Sequence, residues 1–545
     1  MKNTENLLSI SNLKKYFPIA KSSVFQKEQL YVRANEDISL DIARGETIGI
    51  VGESGCGKST LGRVLLQLYE QTAGTTMYYG RTRASVAPHY VLDTLKHADK
   101  YIQKLKKARE RADELIAKCE KLGDAATFFD LQDKNLAVAE AETALSHIAK
   151  ILGGFVVRDT AKGAALLYER ALYEDAAAHR AEEIRDIGLE IETLEGRLAE
   201  ETDEKKRKKA EEEIRAFRTK AEALQKEEDK DTEEVKKVDD RIAEAKAPYL
   251  ADEEFLRYEE MLDDGIDLSR LRYSEMRLLR KDLQIIFQDP YSSLNPRMTI
   301  GQIIEEGLVT HKFYKHGSPK MKEYILEVMR KCGLQDYMLH RYPHQFSGGQ
   351  RQRISIARAL AVKPQFVVCD ECVSALDVSI QSQIINLLLE LKEKENLTYM
   401  FISHDLSVVR YISDRICVMY LGNIVELAPA KTIFDDPRHP YTIALLSSIP
   451  STDIESLKKE RIILEGNIPS PIKPPSGCKF HTRCYMSCDI CKRVPPPLRE
   501  IEPGHFLACH FADRKVDENG NYLFELPKME RKSVKERQAE AEAKE

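Results

Sequence analysis

The chain has 545 residues, room for about three domains; hydrophobic residues at 42% can fill their cores, and charged residues at 32% point to long solvated helices. A net charge of −6 gives no reason to propose a nucleic-acid surface, and no apolar run approaches the roughly 18 residues of a membrane span. Met1 to Ser11 lack the basic-then-apolar plan of a signal peptide, so a cytoplasmic setting is expected, and there the five cysteines between Cys478 and Cys509 suggest metal before disulfide.

From Leu7 to Ile50 the pattern is short and β-like, broken by Pro18 and by a turn at Ala43-Arg44-Gly45. An apolar run, Thr47 to Val51, predicts a strand, and Leu61 to Leu68 a helix. Between them lies Gly52-Glu53-Ser54-Gly55-Cys56-Gly57-Lys58-Ser59-Thr60. Strand, glycine loop and helix are the setting of a phosphate-binding loop. Gly52, Gly55 and Gly57 let backbone N–H groups turn in around phosphates, Lys58 reaches the β- and γ-phosphates, and Ser59 is placed for Mg²⁺. Tyr16 and Phe17 lie upstream, and an aromatic there can stack on a nucleotide base or be an ordinary half-buried strand aromatic.

After a predicted strand at Thr75 to Tyr79 the composition turns to Ala, Glu, Lys and Arg, from about Val91 to Ala247. Leu95, Ala98, Ile102, Leu105, Ala112, Ile116 and Cys119 keep a three-four spacing. So do Ile184, Ile187, Ile191, Leu194 and Leu198, and then Val235, Val238, Ile242 and Ala245. An apolar repeat of about 3.5 residues predicts a coiled coil. Turns at Gly123-Asp124 and Gly153-Gly154 predict a hairpin that folds back, ended by Pro248 and Asp263-Asp264-Gly265.

Beyond Leu268, the run Leu283 to Phe287 reads as a buried strand ending at Gln288. Ser347-Gly348-Gly349-Gln350 opens a helix from Arg351 to Ala361. Phe366 to Cys369 leads into Asp370-Glu371, and Tyr399 to Ile402 into Ser403-His404. Open α/β sheets collect ligand residues at such carboxyl ends of strands. Asp370 is placed to hold Mg²⁺, and Glu371 to orient the attacking water or take its proton. Gln288 and His404 can reach the γ-phosphate, metal or water; either alone reads as a polar strand-end residue, and their company is what points to hydrolysis.

These motifs together resemble the ATP-binding-cassette family. Gly52 to Ser59 is similar to its Walker A motif, Phe366 to Glu371 to Walker B with the catalytic Glu, and Gln288 to the Q-loop. Ser347, Gly348, Gly349 and Gln350 look like the signature, Asp377 closes a D-loop from Ser374, His404 is the switch histidine and Tyr16 the adenine-stacking aromatic. The resemblance implies ATP and Mg²⁺ (Ser59, Gln288 and Asp370 on the metal side), and two cassettes facing head to tail, each signature serving the partner's phosphate loop. It narrows further. Phe287 to Pro296, Tyr342 to Phe346, Gln350-Arg351-Gln352-Arg353 and His439-Pro440-Tyr441-Thr442 resemble dipeptide and oligopeptide importer ATPases, the F-type subunit more than the D-type. This covers nearly everything outside the coiled coil. It implies a D-type ATPase partner, two transmembrane permeases, an external peptide-binding protein, and a peripheral place on the cytoplasmic face of the membrane. The cargo stays open among peptides, nickel and other small solutes.

The expected fold is therefore α/β, a P-loop nucleotide-binding domain over 1–80 and 268–425, interrupted by a coiled-coil hairpin over 81–267. A Cys-bearing extension over 426–512 and a charged tail over 513–545 follow. Two departures stand out: the insertion itself, tolerable where its ends lie close together, and Cys372 where the family has proline. Cys478, Cys484, Cys491 and Cys509 match four cysteines of the family's extension, which in some relatives hold an iron–sulfur cluster; four thiolates suit a 4Fe–4S cluster or Zn²⁺. Intervening spacings of five, six and seventeen are not those of a zinc ribbon, and reduced structural thiols are the competing reading. For the whole chain, a soluble coiled-coil ATPase of the chromosome-maintenance type, or another acting on a non-transport partner, is the alternative to an importer subunit. In the chromosome-maintenance type the coiled coil follows the Q-loop, whereas here Gln288 lies beyond it.

Overall fold

The structure, a computed structural model, describes residues 6–21, 29–200, 203–316, 318–449 and 462–511. The charged tail expected over 513–545 lies outside them. The chain divides into two compact units, Met1–Ile48 with Ser59–Ser403, and Gly49–Lys58 with His404–Glu545.

Five strands frame the first part of the chain: β1 (Asn6–Pro18), β2 (Tyr31–Ala43), β3 (Thr47–Val51), β4 (Ala73–Tyr78) and β5 (Ile266–Asp267). In the first unit β2, β1, β4 and β5 form an antiparallel sheet in that order. Its last pairing matters most for the insertion. Tyr78 faces Ile266 and Met77 faces Asp267, so the chain leaves the sheet on β4 and returns beside it on β5. The two ends of the insertion are neighbours, and the sheet closes as though nothing had been inserted.

The same unit holds three parallel strands, β6 (Leu283–Ile286), β7 (Phe366–Asp370) and β8 (Thr398–Ile402), with β7 in the middle. Every residue of β7 and β8 is buried, as expected of continuous apolar strands covered on both faces. Helices Ile300–Thr310 and Pro319–Lys331 pack on the signature helix, Gly348–Ala361. Thr299 with Gln302, and Ser347 with Gln350, start two of these helices as reciprocal capping boxes.

The insertion differs from the single hairpin expected. It contains two. Helices Ala98–Leu122 and Phe128–Leu152 form the first, turning through Gly123, and Gly153 ends it; both glycines have positive φ. Helices Thr160–Glu200 and Glu204–Lys246 form the second and longer one. Asp203 caps the returning helix by accepting the Lys205 N–H at 2.9 Å. Where the hairpins meet, Tyr90, Leu105, Ile148, Leu152, Phe155, Val238 and Phe255 form an apolar core. The first hairpin continues outward on small side chains, Ala108, Ala112, Ala137 and Ala141.

The second unit contains the Gly49–Val51 end of β3 with β9 (Arg415–Tyr420), β10 (Asn423–Pro429), β11 (Arg499–Glu502) and β12 (His505–Leu507). The order from β3 is β9, β10, β12, β11, and the β9–β10 hairpin turns on Leu421-Gly422, both at positive φ.

Candidate active site

In the second unit, Gly52 to Lys58 wrap tightly. Gly52 has φ +150°, and a Cβ there would lie 2.3 Å from the Met419 carbonyl oxygen, so only glycine fits. Gly55 and Gly57 also take positive φ, and a Cβ on Gly55 would meet nothing, leaving that side of the loop open. Lys58 is only 4% exposed. Its ammonium donates to the Gly52 carbonyl at 2.8 Å and the Glu53 carbonyl at 3.1 Å, parked on the loop it belongs to. His404, in this unit, is exposed and directly precedes Asp405, which caps the helix Leu406–Ile412.

In the first unit, the helix begun at Lys58 presents Ser59 to the end of β7. The Ser59 hydroxyl donates to Asp370 Oδ1 at 2.5 Å, and Arg63, one turn further on the same helix face, pairs with Asp370 Oδ2 at 3.4 Å. Asp370 is 3% exposed, so its charge is compensated by these two groups. Next to it Glu371 takes φ +49°, unusual for a residue with a Cβ. Its N–H donates to the Ile402 carbonyl at 3.0 Å, and Ser374 Oγ donates to its carbonyl at 2.9 Å. So held, its carboxylate receives Gln288 Nε2 at 2.9 Å. Two residues 83 apart in sequence are thus in direct contact. Arg63 was missed; its spacing of four from Ser59 was the available signal.

The signature residues serve their own helix first. Ser347 N–H donates to Gln350 Oε1 at 3.1 Å, so the Gln350 side chain is engaged in the cap. Gly348 is exposed; Gly349 is buried, and a Cβ there would lie 2.5 Å from Ile380 Cγ2, on the helix Val378–Glu395. Asp377 caps that helix by accepting the Ile380 N–H at 3.0 Å, and this bond with that from Ser379 holds its carboxyl below the usual range. Thr60 is partly exposed on the helix after the loop.

Tyr16 differs from the expectation. It is 4% exposed and its hydroxyl donates to Glu36 at 2.6 Å, so no ring face is open for a base in this conformation. Burial first, and then the Glu36 carboxylate, push its phenol up. Strand position alone does not distinguish a ring turned inward from one turned outward.

The cysteine-bearing extension is compact. Cys478, Cys484, Cys488 and Cys509 are partly buried and Cys491 is buried, with the Cys488 and Cys491 sulfurs 3.5 Å apart. Burial, then the thiols of Cys509, Cys478 and Cys491, push Cys484 up to about 12; Cys478 is pushed up to about 11, mainly by burial. Among the described residues no three His, Cys, Asp or Glu side chains are gathered as a metal cage. For Mg²⁺ this is no obstacle, since that ion takes one or two protein oxygens and completes its shell with phosphate and water. The Ser59 hydroxyl and the Asp370 carboxylate, in contact at the end of β7, have the donor chemistry such a set needs. No helix among the described residues is long and apolar enough to cross a membrane.

The family model for ABC transporters matches residues 35–262 and 250–374, and that for the oligopeptide/dipeptide transporter C-terminal region matches 425–491. The oligopeptide transport ATP-binding protein AppF of Bacillus subtilis is 53% identical over 253 residues, 46% of this chain and 76% of that protein. A putative oligopeptide transport ATP-binding protein of the same organism, YkfD, is 51% identical over 247 residues, covering 45% and 75%. A putative peptide import ATP-binding protein of Brucella ovis is 52% identical over 250 residues, covering 46% and 78%. The chain belongs to the ABC transporter family, as an ATPase that uses ATP and Mg²⁺ and carries a long helical insertion within its P-loop α/β fold.

Proposed function

We propose that this ATPase powers a membrane importer of peptides, through permeases that it contacts from the cytoplasmic side. What carries the reading is the conjunction of the Gln288–Glu371 contact with the oligopeptide-type match over 425–491. When bound, Mg²⁺ neutralises charge on the β- and γ-phosphates. Lys58 would exchange the carbonyls of Gly52 and Glu53 for phosphate oxygens, and Ser59 and Asp370 would hold the metal. Glu371 accepts the proton of the attacking water and Gln288 orients it; His404 is assigned to the γ-phosphate. Ser347, Gly348 and Gly349 serve the phosphate loop of a second cassette, a D-type subunit in the narrower reading, with two permeases and an external binding protein completing the assembly. The buried Tyr16 is left out of this set. Gln350 contributes through the cap that shapes the signature turn, and Asp377 through the helix start beside it.

Replacing Glu371 by Gln is expected to abolish turnover and preserve ATP binding; hydrolysis near the wild-type rate would refute the assignment. Purification from the native membrane is expected to bring permeases along. An ATPase recovered wholly free of them would favour the soluble, non-transport alternative.

A metal at Cys478, Cys484, Cys491 and Cys509 is a narrower part of the proposal. What supports it is that the thiols of Cys478, Cys484, Cys491 and Cys509 are near enough to raise one another; buried and raised they rest protonated, and a bound cation would have to displace those protons. Anaerobically purified protein is expected to show absorbance near about 400 nm or bound zinc. The lack of both would leave these cysteines as structural thiols.

A further inference from the structure

The phosphate loop and the extension that contains His439-Pro440-Tyr441-Thr442 and the cysteines belong to the same compact unit, and they meet at Glu53. Glu53 is the second residue of the loop. Its N–H donates to the Tyr441 hydroxyl at 2.8 Å. Its carboxylate receives both terminal nitrogens of Arg483, at 2.7 and 3.0 Å, the bidentate geometry that makes guanidinium–carboxylate pairs strong. The Arg483 side chain is 7% exposed and that of Glu53 24%, so the pair is largely shielded from water. From the other side, the Glu53 carbonyl accepts the Lys58 ammonium and, at 3.2 Å, the Cys56 N–H. One residue therefore links the phosphate-seeking lysine to the extension.

The groups that hold Glu53 are themselves fixed. Tyr441 is buried against Tyr420 and Phe480, with ring centroids 4.8 and 5.3 Å away. Glu426, buried on β10, accepts the Arg438 N–H at 2.8 Å and the His439 N–H at 3.0 Å, and His439 Nδ1 accepts the Tyr441 N–H at 3.1 Å. On the other arm, Phe480 and Arg483 lie on the loop between Cys478 and Cys484, and Lys479 donates to the Leu421 carbonyl at 2.9 Å. Neither arm ends in a flexible side chain on an open surface.

We propose that the C-terminal extension is a positioning element of the nucleotide site, in which Arg483 and Tyr441 act through Glu53 to hold the backbone of the phosphate loop in place for the incoming nucleotide. Loop N–H groups bind phosphate well only when preset, because ordering them at the moment of binding costs affinity. The role falls on nucleotide affinity and leaves the chemistry at Glu371 alone. It rests on the ATPase assignment and is independent of cargo.

The test uses the full chain. Affinity for a fluorescent ATP analogue with Mg²⁺ and steady-state ATPase kinetics are measured for Arg483→Met, Arg483→Lys, Tyr441→Phe and Glu53→Gln, beside a thermal melt of each. Arg483→Met is expected to raise Kd and KM about tenfold with kcat kept within about twofold, and Arg483→Lys to recover part of the loss. Tyr441→Phe is expected to raise Kd about threefold. In the double variant of Glu53→Gln and Arg483→Met, Kd is expected to be no worse than with Arg483→Met alone, since the two act as one pair. A merely structural bolt would lower kcat with the folded fraction and leave KM unchanged; that result, or an unchanged Kd in folded Arg483→Met, overturns the proposal. Should Arg483→Met not fold, Glu53→Gln and Tyr441→Phe decide it by the same split between KM and kcat. Lys58→Ala tests the ATPase assignment separately: unchanged affinity there would sink that assignment, not the role of the extension.

Discussion

The strands that carry the carboxylates and the outer half of the long hairpin solve the same problem by opposite means. In β7 and β8 every residue is buried, and the ends of these strands place Asp370, Glu371 and the Ile402 carbonyl within hydrogen-bonding reach. In the hairpin, Ile187 and Ile214 are buried in the outer part, and much of the remaining order comes from ion pairs. Lys220 reaches Glu183 at 2.6 Å, Arg218 reaches Glu195 at 2.8 Å, and Arg180 pairs with both Glu227 and Asp231. Exposed pairs of this kind contribute about 0–1 kcal/mol each and weaken with salt, whereas a buried aromatic contributes several times that. The lesson is that the strand layer is fixed by burial, and the arm is held in register by charges that can be screened. The arm also reaches back to the helical layer, where Lys312 pairs with Asp186 at 2.8 Å, Lys320 with Glu192 at 2.6 Å, and Lys315 with Glu190.

The largest break in this contrast is expected from Phe401→Ala in β8, which empties a fully buried site and costs about 3–5 kcal/mol. Urea unfolding followed by circular dichroism checks it, and a loss below about 1 kcal/mol would mean that the strand layer is not fixed by burial. Phe155→Ala, at the base of the insertion, removes a comparable volume and is expected to cost about 3 kcal/mol. Its effect is expected to stay within the insertion: hydrogen exchange rises over 98–246 while ATPase activity persists. Loss of both together would show that the insertion and the sheet unfold as one. Arg180→Ala, which severs two ion pairs of the arm, is expected to cost about 1 kcal/mol in low salt and much less in 1 M NaCl. Equal losses at both salt concentrations would contradict a charge-held arm.

The smallest effect is one of pH. Burial, and then Glu174, push the Asp175 carboxyl up to about 6. A folded-state pKa raised above the unfolded value means that the folded protein binds more protons across the window from about pH 4 to 6, so stability falls as pH rises through it. Asp175→Asn is therefore expected to stabilise the hairpin above pH 6, by about 1 kcal/mol once solvent screening is allowed for, and to add nothing below pH 4. Melting curves at the two ends of the range check it; the same gain at both would assign the effect to packing.

The contrast also explains which parts were legible beforehand. Gly52 to Ser59 and Ser347 to Gln350 are contiguous, and their function rests on local backbone geometry that residue type dictates. The ends of the helices at Gly123 and Gly153 were readable for the same reason. The start of the helix Glu204–Lys246 was not, because a side-chain cap from Asp203 marks it and no glycine or proline stands near it in the sequence, and so two hairpins were expected as one. The fate of Tyr16 was equally hidden. A strand aromatic can turn either way, and Glu36 on the neighbouring strand decided it.

By itself the sequence determined the phosphate loop, the strand-end carboxylates, the signature cap and the helical character of the insertion, since each depends on residues within a few turns of one another. Only the tertiary structure decided that the insertion leaves and re-enters one sheet between Tyr78 and Ile266, that Gln288 touches Glu371, and that Arg483, 430 residues away, grips Glu53. The physical reason is that local geometry is fixed by steric preferences and capping near each residue, whereas such contacts depend on how whole elements pack, and neither residue type nor spacing records that.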